Sequence, residues 1–150
     1  MKTHPNLDRF SRELVQIMPL MFREFAKRET NPLTRGQISF PQMVALDYAS
    51  RHSKVKMTDL SKVLSIQLSS TTVLVDRLIR EKMLSRDRDE KDRRVVWVSA
   101  TPKGRKVVAQ IVGQKRRSLR EIFSVLTAGE REQYLAMITK VFNHLKQSHG

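Results

Sequence analysis

Four side chains in one short stretch, Ser69, Ser70, Thr72 and Arg77, combine small hydroxyls with a guanidinium. Such groups hydrogen-bond base-pair edges in a DNA major groove or grip phosphate. A second set, Arg86, Arg88, Lys91, Arg93 and Arg94, follows in a charged segment, and an extended arginine there can enter a narrow minor groove along its negative potential. The interleaved acids Asp87, Asp89, Glu90 and Asp92 offer a different chemistry, carboxylate oxygens for a hard cation such as Mg²⁺ in a nuclease. No general base or nucleophile accompanies them, and they alternate with arginines on a turn. Asp92 therefore reads better as a local partner that orients an arginine. The histidines His4, His52, His144 and His149 are scattered, with no pair at the spacing of a metal site on one helix turn. No metal, cofactor or catalytic residue is expected.

The whole composition agrees with a polyanionic partner. There are 29 Lys and Arg against 15 Asp and Glu, a net charge of +14, and a pI near 10.8; this balance suits nucleic acid or an anionic membrane surface without choosing between them. No apolar run approaches the ~20 residues that span a bilayer, and MKTHPNLDRF lacks the apolar stretch of a secretory signal. A cytoplasmic protein with no membrane partner is the expectation. The absence of cysteine rules out disulfides, thiolate metal sites and thiol redox sensing by these residues.

The elements that must carry the basic groups are written in local patterns. Leu7, Phe10, Leu14, Ile17, Met18, Met21 and Phe25 recur at helical steps, with Pro19 expected to kink or break that helix. Ser39 and Gln42 form a capping box at the start of a second helix, flanked by Ile38 and Met43 at the staple positions. A small strand is expected at Val55 to Met57, a third helix capped by Thr58, a turn from Ser65 to Leu68, and a fourth helix from about Ser69 to Lys82. On that fourth helix Thr71, Leu74, Val75 and Leu78 share one face, leaving Ser69, Ser70, Thr72, Val73, Asp76 and Arg77 toward the other. Leu84 to Arg88 and Val95 to Ala100 read as paired strands around a charged turn. Strand alternation turns Trp97 away from the core side, where it is partly exposed. Thr101 and Pro102 start a fifth helix carrying Val107 through Leu126, and Thr127 with Glu130 opens a last apolar one. The basic run Lys115, Arg116, Arg117 and Arg120 reads as a solvated helix face.

A helix, a turn, a helix and a charged hairpin make a winged helix-turn-helix. Serines and threonines alone serve equally well as caps in a generic helix pair, and a charge run is ordinarily a solvated hairpin; their succession is what points to DNA. LSKVLSIQLSSTTVLVDRLIREKML, then DRR at Asp92 to Arg94, then VSATPKG resemble a MarR-family (multiple antibiotic resistance) transcriptional regulator, the weaker flanks extending the likeness over nearly the whole chain. The resemblance implies a mainly α (α+β) fold, a single domain over residues 1–150, with helices in 1–37 and 107–150 for dimerisation and a DNA-binding lobe at 38–106. It implies a homodimer on a pseudo-palindromic operator in double-stranded DNA, Arg94 as the wing arginine and Asp92 as its orienting acid. It further implies a repressor released by a small aromatic or anionic effector, for which Met18, Phe22, Met43 and Asp47 are the candidate contacts. Lys82 stands where the family has Gly at the end of the recognition helix, and Ala100 where it has Leu. A sequence-indifferent architectural DNA binder is the alternative, using the same basic surface without base readout.

Overall fold

The computed structural model describes residues 5–147; His4 and His149 lie outside them. Six helices and three short strands follow in the order α1 (Pro5–Lys27), α2 (Phe40–Ser50), β1 (Val55–Lys56), α3 (Met57–Leu64), α4 (Leu68–Arg80), β2 (Leu84–Arg88), β3 (Val96–Ala100), α5 (Pro102–Ile122) and α6 (Ala128–Gln147), with a 3-10 turn at Phe123–Val125 before α6. The strands form one antiparallel sheet in the order β1-β3-β2. Two compact units divide within α5, one ending at Lys115 and the other beginning at Arg116.

The first unit holds the core. Ile38, Leu46, Leu60, Val75, Leu78, Leu84 and Val98 are buried together, drawing on α2, α3, α4 and the sheet. The α2 start behaves as its spacing predicts: the Gln42 amide N–H donates to Ser39 Oγ at 3.4 Å, and the Ser39 N–H donates to Gln42 Oε1 at 2.8 Å. The start of α3 differs from expectation. The helix begins one residue before Thr58, and its acceptor is Asp59, whose carboxylate takes the Lys56 N–H at 3.3 Å. An aspartate in the first turn also complements the helix dipole, which a threonine hydroxyl does not.

Two further expectations are corrected. Helix α1 runs through Pro19 without breaking, since a proline removes a single backbone donor and the helical bonds on either side of it hold the helix together. Helix α5 stops at Ile122 rather than continuing to Leu126, and the Leu126 N–H closes a tight turn onto the Phe123 carbonyl. The α6 start again matches its signal, with Glu130 accepting from the Thr127 N–H at 2.7 Å.

Both helices of the helix-turn-helix end in a left-handed residue. Ser65 has φ 53° and Lys82 has φ 59°. After α4 the Met83 N–H reaches the Leu78 carbonyl and the Lys82 N–H the Ile79 carbonyl, each at 2.9 Å, the paired bonds of a Schellman cap. Lys82 thus takes the conformation that glycine adopts freely, at a cost of about 1–2 kcal/mol for an L-residue. The cap holds because Leu78 and Met83 are both buried beneath it.

The segment Thr101 to Gly104 then seals that end of α4. Thr101 Oγ1 donates to the Lys82 carbonyl at 2.7 Å, the Thr101 N–H reaches the Met83 carbonyl at 3.1 Å, and Lys103 Nζ donates to the Glu81 carbonyl at 2.7 Å. The Gly104 N–H donates back to Thr101 Oγ1 at 3.1 Å, capping α5. These bonds tie the end of α4 to the start of α5.

Candidate nucleic-acid interface

The faces of α4 divide as the sequence implies. Thr71, Val75 and Leu78 are buried and Leu74 half-buried, while Ser69, Ser70, Val73 and Arg77 are exposed. Among the described residues the Ser69 and Ser70 hydroxyls are uncommitted. Thr72 is half-buried and its hydroxyl donates to the Leu68 carbonyl at 2.9 Å, so toward an outside partner it offers an acceptor and a methyl group. Arg77 leans along the helix to Glu81 at 3.4 Å.

Between α4 and the hairpin β2–β3 lies an open cleft of about 490 Å³, lined by Lys56, Met57, Thr58, Leu68, Thr72, Arg86, Arg94, Val95 and Val96. Thr72, Arg86 and Arg94, read from separate stretches of the chain, meet there. Arg86 is held in place by Asp76 of α4, Nη2 to Oδ1 at 2.6 Å. The guanidinium of Arg94 has no partner among the described residues. Arg88, Lys91 and Arg93 are exposed on the hairpin.

The hairpin turn is organised by Asp89 more than by Asp92. One oxygen of Asp89 accepts the backbone N–H groups of Lys91 at 2.9 Å and Asp92 at 3.1 Å; the other accepts the Trp97 indole N–H at 2.7 Å. The Trp97 bond, with those two backbone bonds behind it, holds the Asp89 carboxyl well below its ordinary value, at about 2. Asp92 does engage Arg94, through the Arg94 backbone N–H at 3.0 Å rather than through its guanidinium. Lys54 and Lys56 lie over the half-buried Trp97 ring at 4.4 and 5.4 Å. With its oxygens committed to N–H donors, Asp89 is poorly placed to hold a cation, and among the described residues no cluster of His, Asp or Glu suits a metal ion.

A depressed carboxyl contributes to wing order above its unfolded value of about 4 and loses that contribution as pH falls through its folded value. Trp97, the single tryptophan, should therefore keep a constant emission from pH 7 to 4 and shift only as pH drops toward 2. Asp89→Asn should show the shifted emission already at pH 7. A wild-type shift between pH 7 and 4 would contradict the assignment.

Sequence reasoning missed Lys56 and Thr58 as cleft residues, Asp76 as the tether of Arg86, and Asp89. The Asp-x-Lys-Asp spacing of an Asx-turn could have signalled Asp89; nothing in the spacing signals the others. Of the effector candidates, Met18 and Phe22 are exposed on α1, Met43 is in the core, and Asp47 pairs with Arg51 at 2.9 Å.

Residues 32–111, which hold α2 through the wing and most of the first α5 turns, match the family described as transcriptional regulator SarA/Rot. The chain belongs to the SarA/Rot family of transcriptional regulators. Its fold is the winged helix-turn-helix that the sequence motifs imply. The Bacillus subtilis HTH-type transcriptional regulator YwhA is 31% identical over 91 residues, 61% of this chain and 66% of that protein. Streptococcus pneumoniae FabT, solved in complex with DNA, superposes with a TM-score of 0.77 at 22% identity, covering 94% of this chain and 98% of that one. A MarR family protein from Bacillus stearothermophilus superposes with a TM-score of 0.70 at 22% identity, covering 95% and 94%. Among the described residues of this SarA/Rot member, no helix is long and apolar enough to cross a membrane.

Proposed function

We propose that this regulator binds a pseudo-palindromic operator as a homodimer, acts in the cytoplasm, and represses by occupying promoter DNA. The observation that carries the reading is the juxtaposition in one lobe of an exposed α4 face bearing Ser69, Ser70 and Arg77 with a cleft holding Thr72, Arg86 and Arg94. In the major groove that face reaches base edges, and the hairpin places Arg94 and its basic neighbours against the adjacent minor groove and phosphates. Residues 38–106 then form the DNA-binding lobe.

Dimerisation is supported by apolar side chains that each unit leaves uncovered. Leu7, Phe10, Ile17 and Phe22 are exposed on α1, and Leu135, Ile138, Phe142 and Leu145 on α6. A second copy would remove such surface from water at about 25 cal/mol per Å². A small aromatic or anionic effector that favours a dimer with displaced recognition helices would lower DNA affinity by the factor that DNA lowers its own.

Selection from a random duplex pool at about 150 mM salt, where non-specific binding is already weak, tests this. Enrichment of an inverted repeat with half-sites roughly 10 bp apart is expected. Recovery of no motif, with affinity falling steeply in salt for every duplex alike, would instead indicate backbone binding without base readout.

A further inference from the structure

Beyond Leu68 at its first position, the exposed face of α4 carries one apolar side chain among its polar ones. Val73 lies at helical spacing from Ser69, Ser70 and Arg77, so it occupies the middle of that face. It is 69% exposed, and no core residue covers it. Its neighbours offer less base readout than their types suggest, because the Thr72 hydroxyl donates to its own helix and Arg77 inclines to Glu81. A β-branched residue at an exposed mid-helix position also lowers helix propensity relative to alanine. Within the chain Val73 therefore has a cost and no compensating contact.

We propose that Val73 is a specificity-determining residue whose isopropyl group packs on the 5-methyl group of a thymine in each half-site. The assignment rests on the reading of α4 as a major-groove reader. In that groove the thymine methyl is the one apolar feature any base pair presents, and small apolar side chains are its complement. Ser69 and Ser70, with uncommitted hydroxyls one turn earlier, supply hydrogen bonds to the neighbouring base edges. Val73 thereby favours T·A over C·G at its position without a hydrogen bond of its own.

The test uses the full chain and a duplex enriched from the random pool, synthesised once with dT and once with dU at every half-site thymine. Wild type should bind the dU duplex about three- to fivefold more weakly for each methyl it covers, the transfer value of one buried carbon group. Val73→Ala, an exposed change to a better helix former with a shorter apolar side chain, should bind the dT duplex more weakly than wild type and show a smaller difference between dT and dU. Equal wild-type affinity for the two duplexes, or an equal dU loss in wild type and Val73→Ala, overturns the assignment while leaving α4 as the reader. Failure to enrich any duplex overturns the reading beneath it and the assignment together.

Discussion

Gly104→Ala is expected to lose about 2–4 kcal/mol of stability, lowering Tm by roughly 4–16 °C for a chain of this size. A Cβ built at Gly104 would lie 2.1 Å from the Met83 carbonyl oxygen and 2.9 Å from Leu46 Cδ1. The first contact is with backbone, and that backbone is pinned by the Schellman cap on one side and by Thr101 on the other. No rotamer change relieves it. Helix propensity alone would favour alanine by about 1 kcal/mol, so the sign of the measured change separates the two effects. The clash also pushes on the residues that end α4, and operator affinity should fall beyond what unfolding accounts for. A thermal melt with unchanged or raised Tm would show that the Met83 segment yields to the added methyl group.

Arg94→Ala should weaken operator binding by about 5- to 150-fold, the 1–3 kcal/mol range of a specific arginine contact, with lost preference at the minor-groove position. Stability should scarcely change, because the Arg94 side chain has no partner among the described residues and its fold contribution is the backbone N–H held by Asp92. Arg94→Lys should recover only part of the affinity: it keeps the charge and loses the planar fork that a narrow groove accommodates. Arg86 provides the contrast. Its guanidinium is tethered to Asp76 of α4, so Arg86→Ala should act through the position of the hairpin as well as through charge. Equilibrium titrations at several salt concentrations decide the Arg94 case; unchanged affinity and unchanged salt slope would remove it from the interface.

Much of this architecture is carried by hydrogen bonds and side-chain spacings local enough to be written in consecutive residues. Ser39 with Gln42 and Thr127 with Glu130 set two helix starts, Thr101-Pro102 a third, and the periodicity of Thr71, Val75 and Leu78 the buried face of α4. The two strands around Asp89-Glu90-Lys91-Asp92 follow from alternation and a charged turn. What these signals share is a range of one helix turn or one hairpin, over which residue identity and backbone geometry determine each other directly. Beyond that range spacing is silent.

Only the packed chain puts Lys56 and Thr58 beside Arg94, because β1 pairs with β3 and carries the start of α3 to the cleft. Only the packed chain joins Asp76 to Arg86, and it alone makes Lys82 hold a left-handed cap that its side chain disfavours, since Leu78 and Met83 are buried on either side of it. The sequence by itself therefore determined which helices form and which of their faces are apolar, through contacts between near neighbours. Tertiary structure decided which charges are tethered, which are free and which residues share a cleft, because those depend on sheet pairing and burial between segments far apart in the chain.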